Sequence, residues 1–149
     1  DEAALLRSAS APLAKVVGAM GVTEISRLLW GFALTGHREE TLLTAAADRV
    51  SALAKKTPYI ELGESMPRIL WACGKLRFEH FRLMQTMSEE FAPASTGLRY
   101  LSPESFHALL WAWDQIDTRQ KFAFFRSVLQ TKVTFWIKER RKARQEHVW

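Results

Sequence analysis

A short tryptophan motif occurs three times in this 149-residue chain, at nearly equal spacing. Each copy is a pair of leucine or isoleucine residues followed by tryptophan, and the tryptophans are Trp30, Trp71 and Trp111, 41 and 40 positions apart. A sequence period between about 20 and 50 residues is typical of arrays of small structural repeats. Such arrays present an extended surface, and most of them function by binding.

Each tryptophan has apolar residues at the same four offsets: five, two and one positions before it and two positions after it. These twelve residues are Ile25, Leu28, Leu29, Phe32, Met66, Ile69, Leu70, Cys73, Phe106, Leu109, Leu110 and Trp113. Their spacing is that of one face of an amphipathic α-helix. The residue after each tryptophan is small (Gly31, Ala72 and Ala112), which favours close contact between helices. We therefore expect the three tryptophans to be buried between repeats rather than to stack on bases.

A second helical stretch follows each motif, and residues that end or begin helices separate the stretches. Gly36 and Asp117 stand where first helices should end, and Ser102 and Pro103 are an N-cap and a first-turn proline. No stretch alternates with a period of two, so strands are not expected. The pattern predicts an all-α fold, an α-solenoid of about three helical-hairpin repeats with a period near 40 residues.

The predicted units follow from the motif positions. They are the second helix of a partial preceding repeat, three full repeats and a basic C-terminal helix extension, at residues 1–21, 22–59, 60–97, 98–136 and 137–149. Because the chain starts at Asp1 and with half of a repeat, we expect it to be a processed protein or part of a longer array.

The composition argues against several classes of protein. The single cysteine, Cys73, excludes internal disulfides, and its place on the apolar face predicts a core residue rather than a nucleophile. No apolar run approaches the ~18–20 residues of a membrane span. The histidines, His37, His80, His107 and His147, are too far apart for a paired zinc motif, and no phosphate-binding or catalytic-serine motif occurs. We therefore expect no enzymatic activity, no metal and no cofactor.

Positive charge is concentrated near the C-terminus. Residues 1–130 contribute +1 to the net charge of +5, and residues 131–149 contribute +4. One interpretation is a solvated helix end whose cations suit the negative end of the helix dipole. The other is an RNA-binding segment, because cations that neutralise phosphates release counterions. The cluster exceeds what a helix end needs, so we favour RNA binding by Lys132, Lys138, Arg140, Arg141, Lys142 and Arg144.

The motif segments resemble a known group of helical repeats. Residues 27–36, 68–77 and 109–113 are similar to the octotricopeptide and heptatricopeptide repeats. They are also similar to the helical region of FAST-kinase-domain proteins, where motifs like Leu-Trp-Ala-x-Ala-Lys-Leu-Gly recur. The resemblance covers roughly residues 22–135, and nothing after Trp136 resembles the RAP domain that often ends such proteins.

The resemblance implies a role with organellar RNA or in an organellar ribosome. We therefore expect a non-catalytic protein of the mitochondrial matrix that contacts RNA, in particular ribosomal RNA, beside neighbouring proteins of a large assembly. Cations outside the apolar face are further candidates for RNA binding: Arg27, Arg68, Lys75, Arg77, Arg119 and Lys121. The alternative for each is a solvated side chain, or one that lies over a neighbour's apolar surface.

Two functions of other classes also fit the sequence. One is a protein-only scaffold, such as an accessory subunit of an organellar membrane complex, which would show no salt-dependent affinity for RNA. The other is a peripheral membrane protein that places Trp136, Ile137 and the basic segment against anionic lipid. Membrane contact is the least favoured, because most apolar residues of this helix fit the core face of its repeat.

Overall fold

The computed structural model describes residues 2–93 and 96–146 of the chain. Seven α-helices are present in these ranges: α1 Glu2–Val16, α2 Val22–Thr35, α3 Glu40–Leu53, α4 Tyr59–Leu76, α5 Phe81–Glu90, α6 Pro103–Ile116 and α7 Ala123–Glu146. No strand occurs in the same ranges, so the predicted all-α fold is confirmed for them. Asp1 and residues 147–149, which belong to the first and last predicted units, lie outside the described residues.

The helix ends follow from local chemistry. Gly36 is the C-cap of α2, and its φ of 69° is left-handed, a conformation that suits glycine. α6 begins after Ser102, whose side chain accepts a hydrogen bond from a backbone N–H of the first turn, and has Pro103 at its first position. Asp117 is the C-cap of α6, and its carboxylate accepts hydrogen bonds from two backbone N–H groups of the following turn, both at 2.9 Å. These predicted helix ends are confirmed.

Contacts between helices arrange the first six in two rows. α2 packs against α4 and α4 against α6, and these three helices are named the A row here. α1 packs against α3 and α3 against α5, and these are the B row. The buried apolar side chains of both rows form one core. No helix in the described part of the chain is both long and apolar enough to cross a lipid bilayer.

The last helix, α7, runs back along α6 in the opposite direction. Near the end of α6, Asp114 forms an ion pair with Arg126 at the start of α7, with an Oδ2–Nη2 distance of 3.1 Å. Near the start of α6, the ring of His107 lies edge-on to Trp136, with the centroids 5.6 Å apart. α7 is a single helix through residue 146, so the basic segment continues the helix of the third predicted repeat.

The apolar pattern predicted the core well but misplaced the tryptophans. Of the twelve residues at the four offsets, ten are buried, and Leu28 and Leu110 are partly buried. Trp30 and Trp111, however, are 38% and 42% exposed, and Trp71 is half-buried. The prediction that these tryptophans are buried is wrong. Successive residues are about 100° apart around the axis of an α-helix, so the side chains at the four apolar offsets lie roughly 160–260° around the axis from the tryptophan. Each indole therefore lies on the opposite side of its helix from the core.

The close helix contact expected beside the tryptophans occurs between α4 and α6. A Cβ atom built on Gly74 would lie only 2.9 Å from the Cα atom of Ala112 and 3.1 Å from its Cβ atom. The two helices therefore approach to a distance at which only glycine fits. Gly31 plays no such part, because nothing lies within 4 Å of a Cβ built there.

Candidate nucleic-acid interface

The three motif tryptophans lie side by side on the outer surface of the A row. The ring centroids of Trp30 and Trp71 are 4.5 Å apart with an angle of 31° between the rings. Those of Trp71 and Trp111 are 6.5 Å apart at 34°. Trp71 has an indole on each side and is the least exposed of the three. These residues, named the tryptophan row, connect α2 to α4 and α4 to α6 by aromatic contacts at favourable distances.

Two arginines line a shallow hollow beside Trp30. Arg27 lies three residues before Trp30 on α2, and Arg68 holds the same offset before Trp71 on α4. The hollow is lined by Trp30 together with these two arginines. Both side chains are exposed, and neither forms an ion pair with another described residue. A guanidinium group in such a place can bind phosphate or stack on an aromatic face.

The opposite end of the tryptophan row lacks an arginine at this offset. Beside Trp111, the position of the arginines is taken by Ala108. A second hollow is lined by Trp30, Arg68 and Trp71 on one side and by Glu104, Ser105 and Ala108 of α6 on the other, and the Glu104 side chain is exposed. Trp30 and Arg68 therefore line both hollows, and Trp111 has no arginine at the corresponding offset.

The final turns of α7 extend beyond the packed helices. Val133 is the last buried residue, Trp136 and Ile137 are partly buried, and every residue from 138 to 146 is exposed. The helix continues beyond Trp136 for about 15 Å, at a rise of 1.5 Å per residue. Residues 138–146 are named the basic overhang. Five of its side chains are cations: Lys138, Arg140, Arg141, Lys142 and Arg144.

The cations of the basic overhang point in several directions. At about 100° per residue they spread over roughly 200° of the helix circumference. The Arg140 guanidinium carbon lies 5.2 Å from the centroid of the Trp136 ring, a cation–π contact. None of the five forms an ion pair with a described residue. Lys132, one of the predicted RNA-binding residues, is also exposed, but it lies on the packed part of α7.

The remaining predicted cations lie at or near the turns between helices. Lys75 is exposed one turn after Trp71, and Arg77 follows it as the C-cap of α4, with a left-handed φ of 52°. Arg119 and Lys121 are exposed in the turn before α7. The ammonium group of Lys121 lies 5.6 Å from the centroid of an aromatic ring of α5. The structure thus brings Arg27 and Arg68 together and leaves Arg77, Arg119 and Lys121 at the turns.

The lone cysteine is a core residue, as predicted. Cys73 lies on the inner side of α4 and is 2% exposed. Burial raises the pKa of its thiol to about 12, so the thiol stays protonated at neutral pH. A buried, protonated thiol is a poor nucleophile.

Sequence reasoning did not identify two exposed aromatic features. The tryptophan row could have been recognised from the angle between each tryptophan and the apolar face of its helix. On α7, Phe124 and Phe135 are 74% and 63% exposed, and the core face predicted for this helix does not include them. These two phenylalanines are eleven residues apart, close to three full turns, so they share one side of the helix.

Comparisons of the chain with protein-family models, with curated proteins and with solved structures gave no match. The resemblance of its motifs to octotricopeptide-type repeats therefore stays a prediction. The function is inferred from the chain's own surfaces, because helical folds of one kind serve many functions.

Proposed function

We propose that this chain is a non-catalytic RNA-binding helical-repeat protein in which the basic overhang of α7 makes most of the phosphate contacts. One observation carries the proposal: the end of α7 extends beyond the packed helices and bears five exposed cations. None of the five has an ion-pair partner among the described residues. Phosphate contacts of this kind fix a protein on nucleic acid and require little geometric precision.

The proposal includes a short α-solenoid with a period near 40 residues. It is supported by the order of the helices, since α2, α4 and α6 are successive members of the A row and α1, α3 and α5 of the B row. It is also supported by the tryptophan row, because residues at equal offsets meet from one unit to the next. An array of this kind would offer RNA an extended surface beside the basic overhang.

The RNA and its location are also part of the proposal. A ribosomal RNA in the mitochondrial matrix, within an assembly of neighbouring proteins, is supported by the resemblance of the motifs to organellar repeat families. The charge distribution agrees with this choice, since residues 1–130 contribute only +1 to the net charge. Contacts to one RNA segment inside a larger particle need fewer cations than a long groove that binds free RNA.

A salt series tests the role of the basic overhang. Replacement of Arg140, Arg141 and Lys142 together by glutamine should weaken RNA binding for all sequences alike. It should lower the slope of log affinity against log salt by about 2–3, close to one unit for each lost phosphate contact. The matched control replaces Lys55, Lys56 and Arg99 by glutamine. These cations are also exposed, and their loss changes the net charge equally.

The two variants separate a local contact from a general effect of charge. A large decrease of the slope in the overhang variant alone supports the proposal. Equal decreases in both variants would show that net charge, and not the overhang, governs binding. A wild-type protein without measurable affinity for RNA would overturn the proposed function.

A protein scaffold is the second candidate, and the exposed phenylalanines of α7 favour it. Phe124 and Phe135 lie on one side of the helix and are 74% and 63% exposed. Exposed aromatic residues that share a side of a helix are a common feature of protein interfaces. The scaffold function predicts a stable protein complex whose formation does not require RNA.

A further inference from the structure

We propose that the hollow beside Trp30 is a base-stacking site for single-stranded RNA. One base would stack on the Trp30 indole, while Arg27 and Arg68 bind the flanking phosphates. The inference rests on the proposed RNA-binding function and adds a second site to it. The hollow is formed by α2 and α4, whereas α7 packs against α6.

The chemistry of the hollow fits a single strand. It combines an aromatic ring that is 38% exposed with two exposed guanidinium groups. Sites for single-stranded nucleic acid pair stacking rings with cations that follow the backbone. A base inside a duplex is already stacked on both faces, so the hollow should distinguish single strands from duplexes.

Both arginines are available for an anion. Elsewhere in the chain, arginines do pair with carboxylates, as Arg38 does with Glu40 at 2.6 Å. Arg27 and Arg68 make no such pair with a described residue, although a glutamate lies about one turn before each on the same helix. Their positive charge is therefore not neutralised by an ion pair within the described fold.

The site belongs to one end of the tryptophan row and not to the row as a whole. Trp71 has a neighbouring indole on each side and is the least exposed of the three tryptophans. Trp111 is exposed to nearly the same extent as Trp30, at 42%. Three residues before it, however, stands Ala108 in place of an arginine, so that offset supplies no cation to bind a phosphate. The two ends of the row are thus a natural pair for comparison.

The test uses this pair in the full chain. Trp30→Leu and Trp111→Leu each remove one exposed indole and one contact with Trp71. The probe is a short fluorescent single-stranded RNA of mixed sequence, compared with the duplex of that sequence. Trp30→Leu should weaken binding of the single strand about tenfold, the order of effect of losing one base–aromatic stack. Trp111→Leu should leave the affinity unchanged, and neither variant should affect the duplex.

Two further variants define the roles of the side chains. Trp30→Phe should recover most of the affinity lost in Trp30→Leu, because a phenyl ring still stacks on a base. Arg27→Gln combined with Arg68→Gln should lower the salt slope for the single strand by about 1.4, roughly 0.7 for each lost phosphate contact. Circular dichroism melts of all variants provide the control for folding.

The outcomes distinguish this inference from the proposed function. Equal losses in Trp30→Leu and Trp111→Leu would overturn the stacking site, as would an unchanged affinity of Trp30→Leu. If the overhang variant still lowers the salt slope in those cases, RNA binding itself stands. A wild-type protein that binds neither probe overturns both proposals.

Discussion

The inner and outer surfaces of the A row differ in burial, and two tryptophans of α6, Trp113 and Trp111, show the difference. Trp113 points inward, is fully buried, and lies 4.8 Å and 5.8 Å from the ring centroids of Phe125 and Phe122. Trp111, two residues earlier, points outward and is 42% exposed. The inner position differs among the three A-row helices, as Phe32, Cys73 and Trp113, whereas the outer position is tryptophan in all three.

This difference indicates that the core does not require the repeated tryptophan. A core position accepts apolar residues of different size when its neighbours compensate for the volume. An exposed position has no such requirement, so three tryptophans there need another reason. Contact between neighbouring helices of the A row is one reason, since the ring centroids are 4.5 Å and 6.5 Å apart. The base-stacking site proposed at Trp30 would be a second reason for that position alone.

The comparison is tested most strongly by removing each tryptophan of α6 in turn. Trp113→Ala should lower the free energy of unfolding by about 3–5 kcal/mol, as large aromatic deletions in a core do. Trp111→Ala should lower it by only about 1 kcal/mol, the value of one aromatic contact. Urea denaturation followed by circular dichroism gives both values. Similar losses in the two variants would mean that the outer surface is part of the core.

A pair of glycines tests how closely the A-row helices approach. Gly74→Ala should cost roughly 1–3 kcal/mol, because a Cβ atom there meets the backbone of α6 and the helices must separate. Gly31→Ala should instead stabilise the protein by up to about 1 kcal/mol, since it adds a good helix former in open space. Thermal melts compare the two. If both substitutions stabilise, α4 and α6 do not pack as closely as described.

The parts of the fold that depend on local chemistry could be predicted from the sequence. Gly36, Ser102 and Asp117 mark helix ends through their own backbone or side-chain preferences, with no knowledge of the rest of the chain. The apolar offsets likewise identify the inner face of each helix, because helix geometry alone relates them. These predictions concern single helices.

The candidate site could be predicted only in part. Arg27 and Arg68 were chosen one by one as cations outside the apolar face, but their meeting at Trp30 depends on how α2 and α4 pack together. The stacking of the tryptophans depends on the same packing. The exposure of Phe135 depends on the direction in which α7 crosses α6. The residues that meet in such contacts lie on different helices, far apart in sequence, and no local preference encodes their meeting.

The smallest effect on stability is expected at the basic overhang, where no residue of the helix is buried. The glutamine replacement of Arg140, Arg141 and Lys142 should move the thermal midpoint by no more than about 2 °C, because substitutions at exposed positions usually change the free energy of unfolding very little. Leu129→Ala, on the buried side of the same helix, should cost about 2–5 kcal/mol. A melt of each variant provides the measurement. A large decrease from the glutamine replacement would mean that the overhang packs against the fold. A stable variant with a reduced salt slope would mean that these cations act outside the fold, on a partner that carries phosphate.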